Sequence, residues 1–225
     1  MPASDATCWT VIQKAAAGDC DARESFARRY EPAVRAYLIA RWRGLPFGDD
    51  VDDAVQEVFL DCFRTGGALA RVDPERPGGF RAFLYGVVRN VALRSEANRG
   101  RNHPQASPSE LDAVEGREEN LSDAFDRAWA LSVMREAGSR QEERARDASD
   151  GARRRVELLR LRFEEEMPIR EIARLWRADP ADLHHEYATA REEFRAALLE
   201  VVAFHHPQAQ EDVEREAAQL LALFK

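Results

Sequence analysis

Two stretches, DDVDDAVQEVFLDCF (Asp49–Phe63) and FRAFLYGVVRNVALRSEANRGR (Phe80–Arg101), decide the fold between them. In the first, Val51, Ala54, Val55, Val58, Phe59, Cys62 and Phe63 form one apolar stripe at helical spacing. Six acids and no base occupy the same stretch, with Asp53, Glu57 and Asp61 at i, i+4 and i+8 and Gln56 beside them. Like charges at that spacing cost an isolated helix a few tenths of a kcal/mol each, and a basic partner would offset the cost. The second stretch carries Phe83, Leu84, Val87, Val88 and Val91 on its apolar face. Its five arginines stand against the single Glu96, a net of +4 in a chain of 225 residues whose formal net charge is -8. Arg81, Tyr85 and Arg89 stack on the opposite face, with Asn90 and Arg94 beside them. Guanidinium groups interleaved with aromatic rings and an amide suit single-stranded DNA, the cations holding phosphates while rings and amide meet bases.

Working outward, Phe26, Tyr30, Val34, Tyr37, Leu38 and Trp42 recur at helical spacing, with Pro32 as a kink or a fresh start. GLPFGDD breaks this helix from the acidic one, and TGGALARVDPERPGG connects the acidic helix to the basic one. After Arg101, RNHPQASPSELDAVEGREENLS has two prolines, no aromatic residue and no periodicity, which reads as a linker. Glu110–Asp126 carries seven acids and only Arg117. Helical patterning resumes at FDRAWALSVM, and the charge-dense REAGSRQEERARDASDGARRR reads as solvated helix or loop.

MPIREIARLWRADPADLHHEYATAREEF, Met167–Phe194, reads as helix, turn, helix. Ile169, Ile172, Ala173 and Trp176 line the first helix; Asp179 caps the second, Pro180 takes its first position, and Leu183, Tyr187, Ala190 and Phe194 turn inward. Such a second helix can enter a major groove. From Asp179 to Arg195 its charge sums to -3 with both histidines neutral. A last helix with Val213, Ala217, Leu220, Leu221 and Phe224 on one side closes the chain.

The fold class expected is all-α. Residues 1–101 and 123–203 form two small helical domains, 102–122 a flexible acidic linker, and 204–225 a helical extension. No run of about 18 apolar residues offers a membrane span. The N-terminus lacks a basic segment followed by an apolar one, and three irregularly spaced cysteines suit reduced thiols, so a cytoplasmic protein is expected. Neither Lys14 nor Lys225 follows a glycine, which removes the phosphate-loop signature, and no Ser/His/Asp or Cys/His grouping suggests an enzyme. The pairs His184–His185 and His205–His206 lack ligands at a completing spacing, so neither a metal nor another cofactor is expected.

DDVDDAVQEVF followed by DPERPGGF and FRAFLYGVVRNVAL resembles region 2 of the extracytoplasmic-function sigma factors of bacterial RNA polymerase. FDRAWALSVM and the helix-turn-helix resemble region 4 of the same family. The resemblance implies that Asp52, Asp53, Gln56 and Glu57 dock on the clamp of the largest polymerase subunit. It implies that Phe80, Arg81, Tyr85, Arg89, Asn90 and Arg94 open the promoter -10 element and capture one strand. His184, His185, Arg191 and Arg195 would then read the -35 element while region 4 meets the flap of the second-largest subunit. Partners implied are core RNA polymerase, promoter DNA and an anti-sigma factor. The chain departs from the family at SEANRGR, where a more basic run is usual, and at Arg177, where glycine is usual. Asp182, His184 and Glu186 stand where threonine, lysine and arginine are frequent. Two alternatives from other classes are a polymerase-binding adaptor and a helix-turn-helix regulator with weakened promoter reading.

Overall fold

The computed structural model describes residues 8–45, 50–73, 79–102, 118–205 and 210–222. Among these the chain is helical, with no strand. In chain order the α-helices are α1 (Cys8–Ala17), α2 (Cys20–Arg41), α3 (Val51–Phe63), α4 (Gly79–Asn102), α5 (Glu118–Ala148), α6 (Asp150–Phe163), α7 (Ile169–Trp176), α8 (Pro180–His205) and α9 (Gln210–Ala222). A 3-10 turn, Leu69–Arg71, lies between α3 and α4. The expected linker falls mainly on residues 103–117, outside the described residues, as do parts of the GLPFGDD and DPERPGG connectors.

Two compact units form, Met1–Ser132 with Phe204–Pro207, and Val133–Ala203 with Gln208–Lys225. The first unit is built on the apolar faces that the spacing marked. Phe26, Tyr30, Val34, Tyr37 and Leu38 of α2 are buried, with Trp42 just beyond its end. Val51, Ala54, Val55, Val58 and Cys62 of α3, and Leu84, Val87, Val88 and Val91 of α4, meet them. The α2 helix starts at an Asp19 cap whose carboxylate accepts from the Ala22 N–H at 2.8 Å, and it continues through Pro32 without a break. Tertiary packing on both sides of the proline holds a helix that the missing N–H alone would interrupt.

The segment expected to open the second domain belongs in part to the first. Leu121, Phe125 and Trp129 of α5 are buried there, Trp129 stacking on Tyr30 at 5.2 Å. The last turn of α8 contributes His205, whose Nε2 lies 3.2 Å from Tyr30 Oη, while Cys8 Sγ donates to the His205 carbonyl.

In the second unit, the charge-dense stretch is helix rather than loop. Ala137, Gln141, Ala145 and Ala152 are buried along it, and Ser149 caps α6 by accepting from the Ala152 N–H at 3.1 Å. Leu158, Leu161, Ile169, Ile172, Ala173 and Leu183 form one cluster, flanked by Met167, Trp176 and Tyr187. The cluster draws on three helices, α6, α7 and α8. Arg177 occupies the left-handed conformation (φ 52, ψ 41) between α7 and α8, and its N–H bonds the Ala173 and Arg174 carbonyls. Asp179 accepts from the Ala181 N–H at 2.7 Å, as a cap preceding Pro180 should. Val213, Ala217 and Leu220 of α9 are buried within the same unit.

Candidate nucleic-acid and partner interface

Helix α3 turns its apolar stripe inward, so Asp52, Asp53, Gln56 and Glu57 all stand exposed on the outer face. Leu60, 70% exposed, lies on the same side. These acids are not equivalent. Asp52 pairs with Arg35 of α2 at 2.5 Å, and Arg35 also reaches Glu31 at 2.9 Å. Those two carboxylates, Asp52 first, raise the Arg35 guanidinium above its ordinary value. Glu57 accepts from the Ser95 hydroxyl at 3.3 Å and lies 4.0 Å from Arg94. Asp61, nearly covered, takes Arg94 at 3.0 Å and Arg64 at 2.8 Å. The acidic stripe is therefore fastened to α4 at its C-terminal end, while Asp53 and Gln56 face outward.

Helix α4 resolves its charge in two directions. Glu96, the one acid of the basic stretch, points into the core. There Arg41 meets it bidentately, Nε to Oε1 at 2.7 Å and Nη2 to Oε2 at 3.0 Å. The Trp42 Nε1–H donates to the same Oε1 at 2.8 Å, and Arg41 Nη1 donates to Tyr37 Oη at 3.2 Å. Burial opposes the Arg41 charge, yet the Glu96 carboxylate and Tyr37 outweigh it and hold the guanidinium above its ordinary value. With Glu96 withdrawn, arginine is what α4 offers to solvent. Arg81 and Arg94 are exposed, Asn90 is exposed, and Arg89 is half-buried. Arg81 pairs with Asp126 of α5 at 3.1 Å. Tyr85 is half-buried edge-on to Tyr37 and Phe125, at 5.3 and 5.5 Å. The side chains of Arg99 and Arg101 lie outside the described part of α4.

Phe80 requires a correction. Expected at the DNA-facing surface, it is 2% exposed. Its ring lies among those of Trp9, Phe26, Tyr30, Phe83 and Trp129, at 5.0 to 6.4 Å. At the second position of α4 the ring points into the meeting place of α1, α2 and α5. No base could stack on it without opening the core.

On α8, His184, His185, Arg191 and Arg195 are all exposed. The acidity that the sequence sums over this helix is largely directed elsewhere. Glu186 pairs with Arg154 of α6 at 3.3 Å, Glu193 with Arg155 at 2.9 Å, and Glu200 with Arg140 and Arg144 of α5. The Arg155 guanidinium is raised above its ordinary value chiefly by Glu193. Asp182 and Glu192 remain exposed. Arg154 also lies over the Trp176 ring at 4.9 Å, tying the scaffold helix to α7. Spacing within one segment cannot reveal these counterions, because Arg154, Arg155 and Asp126 lie on other helices. Among the described residues there is no group of three or more potential metal ligands. No described helix is long and apolar enough to cross a membrane.

No curated protein and no solved structure matches the chain. Residues 26–102 match the family model described as Sigma-70 region 2. The matched span opens at Phe26 in α2 and closes at the last residue of α4, so it contains both the acidic outer face of α3 and the arginine face of α4. Over that span, about a third of the chain, the protein is similar to Sigma-70 region 2.

Proposed function

We propose that this protein is a sigma factor of the extracytoplasmic-function group, docking on core RNA polymerase through α3 and opening promoters of a signal-responsive gene set through α4. The observation that carries the reading is the pairing, within the matched residues 26–102, of an outward acidic stripe with an outward arginine face on adjacent helices. Asp53, Gln56 and Glu57 are the docking residues, meeting the basic clamp of the largest subunit. Asp52 contributes after exchanging Arg35 for a partner cation. Arg81, Tyr85, Arg89, Asn90 and Arg94 hold the -10 strand, the guanidinium groups on phosphates and the ring and amide on bases. Phe80 is left out of this set, since it serves as packing beneath that face.

The second unit supplies -35 contacts through His184, His185, Arg191 and Arg195 on the exposed side of α8. Turning Glu186 and Glu193 toward α6 lowers the electrostatic cost of bringing this helix to phosphate. The flap of the second-largest subunit is its expected polymerase contact, and an anti-sigma factor its expected inhibitor. The site of action would be the cytoplasm.

The test is co-elution of the purified protein with core RNA polymerase on a sizing column, beside a variant carrying Asp53→Lys and Glu57→Lys. Stable co-elution that the variant loses by tenfold or more in affinity is the expected result. A wild-type protein that never joins the polymerase overturns the reading. Exposed Asp182 and Glu192 on α8 favour one second reading, a polymerase-binding adaptor. It would co-elute equally well yet fail to open any promoter.

A further inference from the structure

We propose that Asp126 is a built-in competitor for DNA: its carboxylate occupies Arg81 in the free chain and holds down the protein's own affinity for nucleic acid until a partner displaces it. This rests on the reading of α4 as the DNA face. Arg81 Nη1 lies 3.1 Å from Asp126 Oδ1, with the two side chains 46% and 34% exposed. A DNA phosphate would have to take the same guanidinium from the same solvent-facing side.

The competitor is held in place by burial. Phe125, next to Asp126, is fully buried and edge-on to Tyr85. Leu121 and Trp129, about one turn to either side of Phe125, are 2% and 4% exposed. Asp126 therefore rides on a segment locked by three apolar anchors, and it cannot drift from Arg81 as a lone surface acid would. The other end of α4 repeats the arrangement, with Asp61 3.0 Å from Arg94. At both ends of the arginine face, an anion of this chain stands where a phosphate would.

The connection does not force this contact. Residues 103–117 separate α4 from α5, and a chain of that length can reach on the order of 50 Å when extended. The placement of Asp126 beside Arg81 is thus a product of packing, and because both side chains reach solvent, a partner cation that takes up Asp126 undoes the pair without moving α5.

The test is fluorescence anisotropy with a fluorescein-labelled single-stranded DNA 12-mer, on the full-length protein without polymerase. Asp126→Ala is expected to bind about three- to tenfold more tightly, with a salt slope steeper by about 0.7, the signature of one further phosphate contact. Asp123→Ala makes the same charge change one turn earlier and is expected to leave binding unchanged. Adding Arg81→Ala to Asp126→Ala should abolish the gain. Thermal melting of each variant checks that the fold is kept. If Asp126→Ala binds no more tightly than wild type, or if Asp123→Ala gains as much, the proposal is overturned. Co-elution with core polymerase is measured in parallel. A wild type that joins polymerase while Asp126→Ala gains nothing refutes the competitor and leaves the sigma reading standing. A wild type that never joins polymerase refutes that reading whatever Asp126→Ala does.

Discussion

Glu96 shows how one residue acquires a meaning that its neighbours in sequence do not convey. Within a run of arginines it resembles a stray acid. In the fold it is the partner that lets Arg41 remain charged at 2% side-chain exposure. Removing one member of a buried pair strands the other charge, so Glu96→Ala should cost about 3–5 kcal/mol in urea unfolding. Glu96→Gln, which keeps hydrogen-bond acceptance, should cost less. The cysteines make a second test at this scale. Burial, partly opposed by Arg29, pushes the Cys8 thiol up to about 12, and burial next to Asp61 does the same for Cys62. Both start from an ordinary value of 9.0, so the folded state favours the protonated thiol. The sign is then fixed: stability is whole below about pH 9 and declines as pH rises from there toward 12. An alkaline unfolding series monitored by circular dichroism reads this directly. At neutral pH, a thiol reagent should label Cys20, the exposed cysteine, at once and the buried pair only on unfolding.

At the scale of elements, the turn between α7 and α8 is where the chain accepts strain. Arg177 sits at φ 52 without glycine's freedom, and the hydrogen bonds from its N–H and from the Ala178 N–H to the Ala173 carbonyl keep it there. Arg177→Gly should relieve roughly 1 kcal/mol and raise the melting temperature. A variant that melts lower would mean that the arginine side chain contributes more than its backbone costs. The same scale explains the legibility of α2, α3, α4 and α7. Their apolar residues recur at helical spacing because each packs one face on a common core, and that periodicity is written locally. The stretch around Arg144 was harder to read. A helix whose inward positions are alanine and Gln141 shows almost no hydrophobic contrast between its faces.

For the whole molecule, the compact units do not follow the change in composition along the chain. The prolines and missing periodicity after Arg101 suggest a first domain ending there, yet Leu121, Phe125 and Trp129 complete the first core. Burying each such side chain contributes about 1.5–3 kcal/mol. Together they approach the whole stability of a small domain. A fragment of residues 1–102 should therefore melt without cooperativity and bind a hydrophobic dye, whereas residues 1–132 should melt cooperatively. Equal, cooperative melting of the two fragments would show that the α5 anchors are dispensable to that core.

The sequence by itself determined the all-α class, the inward faces of the principal helices, the Asp179 cap and the outward position of Asp53, Gln56 and Glu57. Each of these follows from periodicity or from backbone preference over a few residues. Only the tertiary structure decided that Phe80 is core, that Glu96 faces Arg41, that Glu186 and Glu193 answer to α6, and that Asp126 stands on Arg81. The physical reason is common to all four. Net charge and hydrophobicity are summed along a chain, but ion pairs and ring contacts depend on which distant helix supplies the partner, and that partner leaves no mark in the local pattern.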